Sequence, residues 1–390
     1  MVINLVKNPC TWFTLLWMLY YMQGHLYNST LIGTGVISLY ILVSLYYLFL
    51  ANRRYKLPAF YKSLTVLVVM FSIYGIVRII EAEQIYRFGG VLQNPTVYLK
   101  NYYISLLPPF TFYVLSKKGH LSLEWLRSFS FIFVLFAIWR YFVLQNEVME
   151  SSLTETDGIT NNMGYLFVSL MVILPLFRGK ELLQNLMFLL ILVFSVASMK
   201  RGAILCALVC GMYYIWTSIK NKKSIGKIKF FLISAITVSV LYMFTSSLFE
   251  TNAYFADRIS QTTEGDMSGR NLMYAYFYDT FMHNSHGLDF IFGYGADGTI
   301  KLFQNFAHND WLEIAIDCGL FGIIIYIFYW WNFFKEVRSL KESPMLHSMM
   351  ILTIIPLFLK SFFSMSITDI QIYQSAIIAF CLTNKDKIYE

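Results

Sequence analysis

Runs of apolar side chains long enough to cross a lipid bilayer recur along the whole chain, and this recurrence limits its fold more than any other feature. A span needs about 20 mostly apolar residues. Runs on that scale lie near 10–25, 30–50, 63–80, 98–115, 125–144, 162–178, 184–199, 202–219, 230–248, 311–334, 347–365 and 370–383, about twelve in all. Hydrocarbon offers backbone N–H and C=O groups no partner, so segments of this kind become helices. Composition agrees: 57% of residues are apolar, 14% are charged and mean hydropathy is +0.56. A soluble domain averages roughly 45–50% apolar and about 25% charged. Soluble, disordered, collagen-like and disulfide-stapled classes are thereby excluded. The expectation is an all-α integral membrane protein, a single polytopic domain over residues 1–390. The first run follows Lys7 and lacks a small-x-small cleavage site after it, so it reads as a retained span.

A net charge of +7 raises nucleic acid as a partner, but its placement argues against one. The cations cluster between apolar runs, the pattern that orients membrane helices. With a cytoplasmic N-terminus, inside loops hold Lys7; Arg53, Arg54, Lys56 and Lys62; Lys117 and Lys118; and Arg178 and Lys180. Further along they hold Lys220, Lys222, Lys223, Lys227 and Lys229; Lys335, Arg338 and Lys341; and Lys385 and Lys387. Outside loops hold Arg87, Lys200, Arg201, Arg258, Arg270 and Lys301. The bias of about three to one predicts cytoplasmic N- and C-termini. Cys10, Cys206, Cys210, Cys318 and Cys381 all fall in apolar runs and read as small hydrophobes, with no disulfide or metal site expected.

One outside connection, about 249–307, is far longer than the rest. Loops beyond about 15 residues are usually functional or disordered. This one carries Tyr254, Phe255, Tyr274, Tyr276, Phe277, Tyr278 and Phe281, and a helix opening at Ser268 and running to about His283 is expected. The segment reads as a helical extracytoplasmic insertion between two spans.

The cations on the unfavoured side are the first candidates for chemistry. Lys200 and Arg201 lie in the tight outward turn Ser198-Met199-Lys200-Arg201-Gly202. They are either an anchoring pair reaching lipid headgroups or an anion site, since the guanidinium fork matches phosphate. Arg270, with Arg258 upstream, either points to water or binds a ligand. Ala307-His308-Asn309-Asp310-Trp311-Leu312-Glu313 precedes a long apolar run, and Asp310 with Glu313 looks like a capping box. His308 then stands before a helix N-terminus, either as an ordinary loop residue or as a base or proton relay.

Other patterns carry less. Gly293-Tyr294-Gly295-Ala296-Asp297-Gly298 matches G-x-G-x-x-G but has no βαβ unit around it, and reads as a flexible turn that permits close packing. Asp279, His283 and His286 have helical spacing without further ligand spacing, so no metal is expected there. Acidic residues are nearly absent from mid-span, which argues against an ion-coupled carrier. Arg140 and Lys360 are left as buried contacts for an anionic lipid.

The order of these pieces resembles the O-antigen ligase and polymerase superfamily. The matching elements are Lys200-Arg201-Gly202, Ser268-Gly269-Arg270, Gly293-Tyr294-Gly295, the His308–Glu313 stretch and Gly319-Leu320-Phe321-Gly322. The resemblance implies a GT-C-like helical fold in the bacterial cytoplasmic membrane, with the active site on the extracytoplasmic face. It implies a glycosyltransferase that needs no metal or other cofactor, whose donor is an undecaprenyl-diphosphate-linked oligosaccharide and whose acceptor is a glycan or lipid A-core. Arg201 and Arg270 are implied to contact the donor diphosphate and His308 to act on the acceptor hydroxyl, with Lys200, Arg258 and Asn309 as neighbouring substrate-binding residues. The expected function is repeat-unit polymerisation, with O-antigen ligation as the alternative and a lipid-linked glycan flippase as a further one.

Overall fold

The computed structural model describes residues 5–23, 29–152, 162–220 and 270–387, and isolated positions between 239 and 260. Most of the run expected near 230–248, most of the stretch up to Gly269, and Arg258 lie outside the described residues. The chain divides into two compact units. The first comprises Met1–Trp125, Gly269–His347 and Lys360–Glu390; the second comprises Leu126–Ser268 and Ser348–Leu359.

Among the described residues, the first unit is helical apart from one small ribbon. Its helices are α1 (Pro9–Tyr21), α2 (Thr30–Arg54) and α3 (Ala59–Glu81), followed by the paired strands β1 (Tyr86–Arg87) and β2 (Val91–Leu92). Next come α4 (Pro95–Leu106) and α5 (Pro108–Lys117). Ser29 caps α2 by accepting the Ile32 amide, and Arg53 and Arg54 fill its last turn, where cations complement the helix dipole. Leu31, Leu42 and Phe49 along α2 are 81, 63 and 62% exposed. An unpaired apolar face of this size fits lipid, not water. Pro58 leaves α3 without a side-chain cap of its own, and the Glu336 carboxylate fills the role by accepting the Ala59 amide at 2.8 Å.

The inner face of α3 stacks Phe71 on Tyr102 of α4 at 3.8 Å between ring centroids. The single run expected over 98–115 is instead broken at Leu107. Pro108 and Pro109 offer no N–H to the preceding turn, so α4 ends and α5 starts anew.

The second unit holds most of α6 (Leu123–Ser152), then α7 (Met163–Ser169), which tightens into a 3₁₀ helix over Leu170–Phe177. Every residue from Met163 to Phe177 is buried, as an all-round apolar helix must be. α8 (Glu181–Ala197) and α9 (Arg201–Lys220) form a hairpin whose link is Ser198-Met199-Lys200.

From Arg270 onward the chain belongs again to the first unit, and it does so first as short helices. These are α10 (Arg270–Asp279), continued by a π-turn over Thr280–Asn284, then α11 (Leu288–Phe292) and α12 (Gly298–Phe303). Helix is thus present over the described part of the stretch expected to run to about His283. The long α13 (Asp310–Ser339), α14 (Pro344–Lys360) and α15 (Ile372–Thr383) complete the chain, with the middle of α14 belonging to the second unit. α13 packs along α3, and α15 along α5.

Among the described residues, five helices are long and apolar enough to cross a membrane: α2, α3, α6 up to Gln145, α9 and α13. Met163–Phe177, α8, α14 and α15 are apolar but shorter.

Candidate functional site

α13 begins where the sequence pattern places a helix start, but its polar residues are used differently. The cap is Asn309, whose Oδ1 accepts the Trp311 amide at 2.9 Å and the Leu312 amide at 3.1 Å. The capping box expected from Asp310 and Glu313 does not form. The Glu313 carboxylate instead accepts the Thr299 hydroxyl at 2.6 Å and the Ala307 amide at 2.7 Å, so it holds the segment that leads into the site. Asp310 turns to residues after α14, accepting the amides of Ser366 and Ile367, and it also accepts the Tyr326 hydroxyl of its own helix at 2.8 Å.

Deeper in α13, Gly319 leaves helical geometry at φ 65°, ψ −162°. The carbonyls of Ile316 and Asp317 are thereby available to the amides of Tyr294 (2.8 Å) and Gly295 (3.1 Å). Gly293 meets this kink backbone to backbone, and a Cβ there would lie 2.5 Å from the Asp317 carbonyl carbon. The Gly-x-Gly turn is thus a close-packing element.

α10 and its π-turn pack on α13 through Met273, Phe277 and Phe281, which meet Ala307, Ala315 and Ile316. Their helical spacing presents one apolar stripe, and the same register sets Arg270 and Tyr274 one turn apart. Arg270 donates from Nη1 to the Phe363 carbonyl at 2.7 Å, and its charge lies close enough to the Tyr274 phenol to act on it. Tyr274 in turn donates to the His308 carbonyl at 3.1 Å. Burial raises the Tyr274 pKa and the neighbouring Arg270 charge offsets part of that rise. His308 is half-buried with φ 51°, a left-handed backbone conformation uncommon for residues other than glycine. Asn309 also donates from Nδ2 to the Phe362 carbonyl at 2.9 Å. The first unit therefore brings Arg270, His308 and Asn309 to one cluster.

Lys200 and Arg201 belong to the second unit. They sit at the α8–α9 turn, where Met199 has φ 53° and the Ser198 hydroxyl accepts the Lys200 amide at 3.4 Å. Gly164 is pressed against this turn, since a Cβ on it would meet the Ser198 hydroxyl.

Beside the cluster, Asp297 accepts from Gln93 at 3.1 Å and pairs with the buried Arg78 at 3.5 Å. Burial pushes the Asp297 carboxyl above its ordinary value, against the opposing pull of Gln93 and Arg78. Asp279 and His283 pair with each other at 3.0 Å on the exposed surface. Among the described residues, no group of three or more His, Cys, Asp or Glu side chains is arranged so that it could hold a metal ion.

The sequence pattern does not reveal the stretch 361–367 as part of this cluster, nor Tyr274 as the link between Arg270 and His308. The local signal for the former is a short polar break between the apolar runs of α14 and α15.

Exposed apolar faces on several long helices make this a multi-pass helical membrane protein. Residues 186–327 match the model of a family described as O-Antigen ligase, which places that segment in the O-antigen ligase and polymerase superfamily. The matched segment starts in α8 and ends in α13, so it contains Arg201, Arg270 and His308. No curated protein matches the chain.

Proposed function

We propose that the chain is a membrane glycosyltransferase that polymerises oligosaccharide repeat units carried on undecaprenyl diphosphate into a surface polysaccharide. The observation that supports this best is that the Arg270 charge lies beside Tyr274, whose hydroxyl donates to the His308 carbonyl. This arrangement joins a cation suited to phosphate with a turn bearing an imidazole.

A sugar on a lipid diphosphate is already activated, so transfer needs no nucleotide. His308 takes the proton from the acceptor hydroxyl as its oxygen bonds to the anomeric carbon. The bond from that carbon to the diphosphate oxygen breaks, and the lipid diphosphate leaves with the negative charge. Arg270 stabilises that charge, and Asn309 shapes the turn that presents His308. For Arg201, with Lys200 beside it, and for Arg258, a contact to the diphosphate rests on the family resemblance. The chemistry uses guanidinium charge and an imidazole base, without a metal.

The same reading includes about twelve spans in a GT-C-like arrangement in the bacterial cytoplasmic membrane, with both termini cytoplasmic and the site on the other face. The alternating basic loops support that orientation. Ligation of a finished glycan to lipid A-core is the second reading, favoured by the description of the matching family.

The test is turnover by purified protein given a defined lipid-linked oligosaccharide. A ladder of lengthening products is expected; product only after lipid A-core is added would mean a ligase, and no covalent product would mean a carrier. His308→Ala is expected to lower turnover by at least about 100-fold while the protein stays folded. Full activity in that variant would remove His308 from the reaction.

A further inference from the structure

We infer that Asp310 is a positioning residue, which holds the strap Ser361–Ile367 so that Arg270 and the His308 turn keep their mutual placement. This deepens the transferase reading and rests on it.

Asp310 is fully buried at the first position of α13. A buried carboxylate is costly unless its oxygens are satisfied. Here Oδ1 accepts the Ser366 amide at 3.0 Å, and Oδ2 accepts the Ile367 amide at 3.0 Å and the Tyr326 hydroxyl at 2.8 Å. The Asp310 amide donates to the Ser361 carbonyl at 2.9 Å. One residue therefore ties both ends of the strap. The start of the helix does not need this carboxylate, because Asn309 already caps it.

Between those ties, the strap serves the site. Its Phe362 carbonyl receives Asn309 and its Phe363 carbonyl receives Arg270. Trp311 donates to the Ser361 hydroxyl at 3.1 Å and stacks on Phe362. The base is closed by the Lys360–Asp369 ion pair and by the Ile370 amide on Ser105. Arg270 is thus fixed through a segment that Asp310 fixes.

Asp310→Asn keeps the shape but turns an NH₂ group or a weaker acceptor toward amide donors. In the full-length protein, kcat per folded molecule is expected to fall about 100-fold, the effect of a misplacement of about 1 Å. KM for the lipid-linked donor is expected to stay within about threefold, because the loss falls on the transition state. Asp310→Glu, which retains the carboxylate, should recover part of the rate. A purely structural role would lower the folded fraction and leave kcat per folded molecule unchanged.

Tyr326→Phe removes only the hydroxyl donor and should lower kcat about threefold. If Asp310→Asn fails to fold, Tyr326→Phe decides alone. Wild-type kcat per folded molecule in the variants that fold, with His308→Ala inactive, would overturn the inference. An active His308→Ala would overturn the transferase reading itself.

Discussion

At the scale of single residues, Arg270 has a task that lysine could not perform. Its planar guanidinium donates to the Phe363 carbonyl and lies beside the Tyr274 phenol. Five N–H donors in a fixed fork leave some available to an anion after that bond. A lysine ammonium has three donors and no plane to orient. Arg270→Ala is expected to reduce kcat by about 100- to 1,000-fold, the range for loss of one donor to a developing negative charge. Arg270→Lys should restore only part of it. Steady-state kinetics with the lipid-linked donor would decide, and near-normal kcat in Arg270→Ala would rule out its role.

Among the elements, the contact between the Gly-x-Gly turn and the kink of α13 carries the most consequence. Gly293 sits at φ 77°, ψ −174°, a region open almost only to glycine, and it lies against the Asp317 backbone. Gly293→Ala adds both strain and overlap with atoms that cannot rotate away. A destabilisation of about 1–3 kcal/mol is expected, read as a lower thermal midpoint in detergent. An unchanged midpoint would show that the turn can leave the kink without cost.

For the whole molecule, the orientation can be read chemically, because all five native cysteines are buried thiols. A membrane-impermeant maleimide should therefore report new cysteines at exposed sites. Lys301→Cys is expected to react in intact cells, and Lys117→Cys only after permeabilisation. The reverse pattern would invert the proposed topology, and labelling of both in intact cells would refute it.

The sequence by itself determined that this chain lives in lipid, that its apolar runs among the described residues are mostly helical, and which residue types could handle a phosphate, whereas the break of the 98–115 run at Leu107 was not among its readings. Those properties are local: apolar run length, flanking cations and proline positions act within a few turns of helix. The tertiary structure decided the partners of the polar groups. Asp310 looked like a helix cap and serves amides 56 and 57 residues away. Arg270 is steadied by a carbonyl 93 residues on. A hydrogen bond depends on which distant atoms the packing brings within about 3 Å, and no local pattern encodes that distance.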